Sequence, residues 1–368
     1  MAKYIYENPN WTEFTWDDKS INTIFGEVRL MQGKIIGQMN ALGFSAKEEA
    51  TLTALTLDIV KSSEIEGELL HYDQVRSSIA RRLGINTAGL VPSNRHIEGV
   101  VEMMLDATQR YKLPLTEKRL FGWHASLFPT GYSGPYQIEV GRYRTGEMHV
   151  VSGAMGKEKV HYQAVNQEFV KAEMDKFLDW FNNDHKLDPV LKAAIAHFWF
   201  IIIHPFDDGN GRIGRAITDM LLAQAEGSGE RFYSMSSQIL IERKRYYQVL
   251  QKVQFSSGDI TEWLEWFLQC LKNAMIATEE TTQRILQKAE FWKLHEHTLL
   301  NARQRLMLNK LLDGFEGKLQ TSKWAKITKS SKDTALRDIK DLIEKGILKQ
   351  TDDGGRNVNY ELINLKLS

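Results

Sequence analysis

His204-Pro205-Phe206-Asp207-Asp208-Gly209-Asn210-Gly211-Arg212-Ile213-Gly214-Arg215 decides how the rest of this 368-residue chain is read. Twelve residues hold one imidazole, two carboxylates, three glycines, a carboxamide and two guanidinium groups, which is not the composition of a core segment. The run before it, Ala193 to Ile203 (AAIAHFWFIII), is almost wholly apolar, so His204 stands where a buried element surfaces. After it, Ile213, Ile217, Met220 and Leu221 share one face of a helix. The glycines therefore lie at a loop-to-helix junction, where unpaired backbone N–H groups and the helix dipole favour an anion. Arg212 and Arg215, three apart, share a face of the first turn. The residues read as a phosphate cradle with a general base at its rim and a carboxylate placed to hold a metal ion.

Three signatures compete for this stretch. Gly209-x-Gly211-x-x-Gly214 is a literal G-x-G-x-x-G, but that fingerprint follows a strand directly, and here Pro-Phe-Asp-Asp separates the apolar run from the first glycine. A calcium loop starting at Asp207 wants an acid twelve positions along, where Thr218 stands. No Gly-x4-Gly-Lys-Ser/Thr phosphate loop occurs in the chain. The third signature fits at every position: the stretch resembles the His-x-Phe-x-Asp-Gly-Asn-Gly-Arg-x-x-Arg motif of the Fic family. The resemblance implies an enzyme that moves AMP from ATP to a hydroxyl of a target protein. The Doc phosphotransferase relatives carry a different glycine region.

Carried over residue by residue, the resemblance makes His204 the base that takes the proton from the target hydroxyl. Its ordinary pKa near 6.5 suits that task. Asp208 would hold Mg2+ on phosphate oxygens. Asn210 and the backbone N–H groups of Gly209, Gly211, Ile213 and Gly214 would stabilise the α-phosphate. Arg212 and Arg215 would hold the outer phosphates, and Arg212 is also the expected partner of Glu66. Phe206 anchors the loop. His124 and His197 read as satisfied core histidines.

Glu66 is an anomaly of the N-terminal region. Leu52, Leu55, Ile59 and Glu66 follow helical spacing, so the glutamate projects from an apolar face near a helix end, with Gly67 just past it. On the residues alone this is a helix fraying into solvent. The resemblance reverses that, because Ser62-x-x-x-Glu66-Gly67 is similar to the inhibitory motif of Fic proteins. There the glutamate pairs with the motif's second arginine region and blocks seating of the ATP γ-phosphate, and an N-terminal location marks inhibition in cis.

Gly141-Arg142-Tyr143-Arg144 and Met148 to Gly153 are similar to the Fic flap, a hairpin that pairs with the target segment through Val150, Val151, Ser152 and Gly153. The alternative is a surface hairpin with no partner. Tyr246, Tyr247 and Gln254, on a helix beginning near Ile241, match residues lining the adenine pocket of the family. One of two adjacent tyrosines must pack inward.

The rest sets the frame. Lys plus Arg equals Asp plus Glu at 47 each, so overall charge argues neither for nucleic acid nor for an anionic membrane. The single cysteine, Cys270, fits a reducing compartment, and no run approaches a membrane span, so a soluble cytoplasmic protein is expected. The expected fold is mainly α: a helical module over 1–90, a Fic-type core with a hairpin flap over 91–290, and a winged-helix-like unit over 291–368. Aromatic residues 4–16 form an arm. Asp17 caps a first helix that Gly43 ends, and Ser45 to Glu48 opens a second. Ser93 starts another helix, Thr116 the next, and Asn166 to Asn183 an amphipathic one whose aromatics, Phe169 among them, face the core. The last core helix runs from Asp259 to about Lys272. Helices near 302–312, 321–327 and 332–345 precede segments 347–351 and 358–363, joined by an Asp352-Asp353-Gly354-Gly355 turn. On the third of these helices Lys332, Arg337, Lys340 and Lys345 are balanced by Asp333, Asp338, Asp341 and Glu344. A protein-contact or homodimer role therefore weighs at least equally with DNA. The rival from another class is a nucleotide-sensing, DNA-binding regulator. The identity of the target and removal of AMP by the same site stay open.

Overall fold

The computed structural model describes residues 4–40, 44–86, 89–152, 159–312, 315, 317–351 and 358–363. Gly43, Gly153 and the Asp352 to Gly355 turn lie outside them. The architecture is mainly α. The chain forms two compact units, Met1–Thr278 and Glu279–Ser368, dividing inside a helix where sequence reading placed the boundary near 291.

In the first unit, a 3-10 turn at Ile5–Glu7 precedes α1 (Asp18–Asn40), α2 (Phe44–Ile65), α3 (Tyr72–Leu83), α4 (Arg95–Gln109) and α5 (Glu117–Leu127). Two antiparallel hairpins follow, β1–β2 (Tyr132–Ser133, Tyr136–Gln137) and β3–β4 (His149–Ser152, Lys159–Gln163), the second with an irregularity between Val150 and Val151. Then come α6 (Gln167–Asn183), α7 (Pro189–Ile203), α8 (Asn210–Glu226), α9 (Met235–Ile241), α10 (Arg243–Val253) and α11 (Thr261–Leu294).

Helix starts follow local chemistry. The side chains of Asn94, Thr116, Asn166 and Asp188 each accept a first-turn N–H, and Pro189 opens α7, where its missing N–H costs nothing. Asn94, not Ser93, is thus the cap of α4, and α2 begins one residue before the expected Ser45. Helix α7 is mostly apolar and buried along nearly its whole length from Val190, as a central helix must be. It packs on α8, likewise buried from Ile213 to Ala223. Helix α2 buries Leu52, Leu55 and Ile59, and its buried Asp58 accepts from Ser234 Oγ (2.7 Å) and Ser236 N (2.9 Å), tying it to the start of α9. The N-terminal arm lies on the same unit, with Ile5 N donating to Gln254 O (2.7 Å) and Trp11 against Trp199.

Other boundaries differ from expectation. Residues 129–144 contain the short β1–β2 hairpin, and α3 had no signal in the sequence reading. Ile241 ends α9 and does not begin α10. Helix α11 continues past Lys272 to Leu294. Phe169 is 58% exposed, because Val170, Met174, Phe177 and Phe181 take the buried stripe of α6. No helix among the described residues is long and apolar enough to cross a membrane.

The second unit contains α12 (Ala302–Leu312), α13 (Thr321–Thr328), α14 (Lys332–Glu344) and an antiparallel pair β5 (Leu348–Thr351) and β6 (Asn359–Leu362). Trp324, Met307, Leu308, Ile339, Leu342 and Tyr360 lie in one core. Of the acids counted on α14, Asp341 answers Lys345 as expected, while Asp338 turns to residues outside the helix. Buried Asp338 binds Arg303 and Asn301 near α12, and Asp341 binds Gln304 and Lys345.

Candidate active site

The site starts where α7 stops. His204 turns left-handed (φ 51, ψ 60) while its N–H still donates to Phe200 O at 3.0 Å. For a non-glycine residue this conformation costs energy and persists where surroundings enforce it. His204 Nδ1 lies 3.2 Å from Ile201 O. A carbonyl only accepts, so Nδ1 carries the proton and Nε2 the lone pair. Burial pushes the imidazole pKa down to about 4, so the ring is neutral at pH 7, the state a general base needs.

Several groups hold the loop beneath it. Buried Phe206 stacks on His124 at 4.4 Å and 12°. His124 Nδ1 accepts from Gly141 N (3.1 Å), which leaves Nε2–H to donate to Asp208 O (3.2 Å). His124 therefore shapes the loop and is more than a core histidine. Arg144, 2% exposed, donates from Nε to His204 O (2.8 Å) and from Nη1 to Gly146 O (2.8 Å), and its N–H reaches Pro205 O (2.9 Å). Asp207 Oδ2 accepts from Glu139 N (2.9 Å). Sequence reasoning missed the supporting tasks of His124 and Arg144. The one available signal was an arginine ending a turn-rich segment.

Asn210 has a structural task as well. Its Oδ1 accepts from Phe206 N (2.9 Å) and its Nδ2 donates to Phe206 O (2.7 Å). Both ends of the buried carboxamide latch the loop, a positioning task that the sequence reading did not assign.

At the start of α8 two guanidinium groups meet the end of α2. Arg215 donates from Nε to Ser62 Oγ, and from Nη2 to Ser62 O and Glu66 Oε1, each at 2.8 Å. Arg212 lies over the Phe128 ring at 5.0 Å and donates from Nη1 to Glu68 Oε2 at 2.8 Å. The partner of Glu66 is thus Arg215, not Arg212 as expected. Helical spacing cannot tell which of two arginines three apart a carboxylate will meet. Glu68 was missed. Gly67 (φ +85) ends α2 in a left-handed turn. Gly211 matters for another reason: a Cβ there would overlap the Glu66 carboxylate, so the missing side chain lets an anion reach the helix start. Arg212 Nε and Arg215 Nη1 are buried without a partner among the described residues. Two buried orphan donors beside a helix N-terminus want an anion.

Asp208 Oδ1 accepts from Gly209 N (2.6 Å), Oδ2 from Ser133 Oγ, and the side chain is 43% exposed. No group of three or more His, Cys, Asp or Glu able to hold a metal occurs among the described residues. One accessible carboxylate beside a phosphate cradle nevertheless fits Mg2+, which takes its remaining ligands from phosphates and water.

The other expected residues are dispersed in role. Tyr246 is buried, and its OH lies 2.9 Å from His197 Nε2. His197 Nδ1 lies 2.8 Å from Thr218 Oγ1, whose own proton goes to Gly214 O. Tyr246 is thus the inward-packing member of the pair, and Tyr247, 41% exposed, is the one left for a ligand. Gln254 ends α10, and its carbonyl holds the N-terminal arm. Val150, Val151 and Ser152 lie in the β3–β4 register, opposite Tyr162, Val160 and Lys159.

Comparison with known proteins bears on the fold and on the segment that holds the motif. Residues 114–222 match the Fic/DOC family, and residues 4–85 match a domain of unknown function, DUF4172. The chain is 27% identical over 248 residues to a protein adenylyltransferase Fic of Drosophila willistoni, covering 66% of this chain and 46% of that one. It spans about half the length of the curated relatives it matches. A Fic family protein from Desulfovibrio desulfuricans G20 has a similar fold, with TM-score 0.55, 22% identity, and 94% and 96% of the two chains covered. A Fic-domain signalling protein from Bacteroides thetaiotaomicron gives TM-score 0.51 and 22% identity over 74% of this chain and 97% of that one.

Proposed function

The chain carries a Fic/DOC domain, and from that premise we propose that it is a protein adenylyltransferase held in check by Glu66. The observation that carries the reading is His204 with its Nδ1 3.2 Å from Ile201 O, at the head of the loop that leads into α8, whose first turns hold two buried arginines with orphan donors.

The target's Ser, Thr or Tyr hydroxyl attacks the α-phosphorus of ATP, His204 Nε2 takes its proton, and the bond to pyrophosphate breaks. Arg215 and Arg212 hold the outer phosphates, while Asn210, His124 and Arg144 keep the loop in shape. Mg2+ held by Asp208 supplies charge neutralisation when bound. The β3–β4 hairpin receives the target segment by strand addition. Tyr247 stands at the adenine side. The single buried cysteine accords with a cytoplasmic setting.

Glu66 lies where a phosphate would lie, on Arg215 and over Gly211. Glutamate and γ-phosphate then compete for one guanidinium, which is inhibition in cis.

The test is transfer of label from ATP. The α-label should reach the protein or an added target and the γ-label should not. His204→Ala should lower transfer by ~100- to 10,000-fold. Wild-type labelling by that variant removes the base from this scheme. A second reading, a nucleotide-responsive DNA binder, draws on Asp338 and Asp341 being engaged by neighbouring side chains, which leaves Lys332, Arg337 and Lys340 against fewer free acids. Salt-dependent retention of duplex DNA by the full chain, with no AMP transfer, would favour it.

A further inference from the structure

We propose that inhibition is carried by two carboxylates: Glu68 restrains Arg212 as Glu66 restrains Arg215, so that both must yield before ATP seats. This rests on the adenylyltransferase reading and extends it to a residue outside the Ser62-to-Gly67 motif.

The geometry follows from the turn. In a continuous helix, residues two apart point to different sides. Here α2 ends at Ile65, and Gly67 reverses the chain at φ +85, with Glu66 N and Glu68 N both donating to Ser63 O at 3.0 Å. The reversal brings both carboxylates to one face of α8, where Arg212 and Arg215 stand one turn apart. Arg212 is nearly as enclosed as its neighbour, with 6% of its side chain exposed against 2% for Arg215, and Glu68 Oε2 is 2.8 Å from its Nη1.

Glu68 is fixed from the other side as well. His96, on α4, lies 2.5 Å from Glu68 Oε1. Burial alone would raise the carboxyl pKa, but His96 and Arg212 together lower it, so Glu68 is held ionised. The other carboxylate near Arg212, Asp208 Oδ2, is 3.9 Å away. Glu68 is thus the nearest anion to Arg212, and an incoming phosphate must displace it. A buried guanidinium does not stay long without an anion, so carboxylate and phosphate exclude one another.

Binding of ATP and of AMP, each with Mg2+, is to be measured by calorimetry on the full chain in a His204→Ala background that prevents turnover. The variants are the parent, Glu66→Gly, Glu68→Gln, the double variant, and Glu64→Gln, whose residue pairs with Lys61 at the surface. Glu68→Gln should tighten ATP by about fivefold or more, alone and on top of Glu66→Gly, and leave AMP unchanged because AMP lacks the outer phosphates. Glu64→Gln should match the parent. If Glu66→Gly tightens ATP and Glu68→Gln does not, the second carboxylate has no inhibitory role. If Glu68→Gln shifts ATP and AMP alike, it acts by loosening structure, and the proposal fails. Absence of ATP binding in every folded variant overturns the nucleotide reading itself, and Glu68's role with it.

Discussion

Two regions of this molecule join a carboxylate to an arginine at nearly the same distance and put the pair to opposite uses. At the α2–α8 junction Glu66 meets Arg215 at 2.8 Å, with 2% of the arginine side chain exposed and 31% of the glutamate. In the second unit Arg303 meets Asp338 at 2.7 Å, with 40% of the arginine exposed and 6% of the aspartate. The buried partner is the one that depends on the pair, because the exposed one can turn to water. In the first region the dependent group is a cation beside a helix N-terminus, where a phosphate can replace the glutamate. In the second it is an anion that Asn301 holds as well, so the pair is one of several contacts in a packed core. On the proposed reading the first pair is exchangeable and suits a switch, while the second is a staple.

The largest contrast should come from deleting the exposed partner in each. Glu66→Gly frees Arg215, and AMP transfer should rise on the order of tenfold or more, chiefly in rate, because aligned phosphates matter more than affinity. Arg303→Ala should leave transfer where it was. Initial rates with α-labelled ATP for both variants, with Glu64→Gly as a surface control, decide this. A Glu66→Gly protein no faster than its parent would remove the switch.

The contrast also shows what a sequence can carry. The motif His204 to Arg215 was legible because so many polar residues among glycines have no use in a core. Glu66 stood out as a charged residue in an apolar period, but the residues alone read as a fraying helix and only the resemblance gave it a task. Glu68 was not legible, since Gly67 breaks the helix and the 3.6-residue argument stops with it. The exchange of Arg212 for Arg215 as partner of Glu66 has the same origin, because side-chain reach across a turn is a property of the packed structure. The latch made by Asn210 was not legible, because a carboxamide serves a phosphate or a backbone equally well. Most helices of the fold were readable from caps and stripes. The error at Phe169 came from counting aromatics when Val170 already held the buried register. The α14 charges were countable in sequence, but their partners were not.

The pH dependence sharpens the first region. His204 is pushed down to about 4 by burial, so it is neutral and competent across the range where an exposed histidine would titrate. The rate should therefore be nearly flat between about 5 and 7, and fall only as pH approaches the depressed value. Glu66→Gly should keep this profile while raising its height. An acid limb near the ordinary histidine pKa of about 6.5 in kcat/KM would mean that the base is not in this environment during turnover.

The smallest effect belongs to the staple, and its sign is set by linkage. Burial alone would raise the Asp338 pKa, but hydrogen bonds from Arg303 and Asn301 prevail and hold it below the ordinary value. A carboxyl depressed in the folded state contributes stability that is fully present above its unfolded pKa of about 3.9 and is lost as pH falls through the folded value. Arg303→Ala removes the larger share of that depression. Its Tm should then lie modestly below the parent's at pH 7, and the gap should close in acid, where Asp338 is protonated in both proteins. Asn301 and Gln304 remain around the aspartate, which keeps the loss small. Calorimetry of the full chain at neutral and acid pH, for parent and Arg303→Ala, reads this directly. A gap that persists unchanged in acid would show that Arg303 acts through the packing of its alkyl stem, and the contrast between switch and staple would then rest on the α2–α8 junction alone.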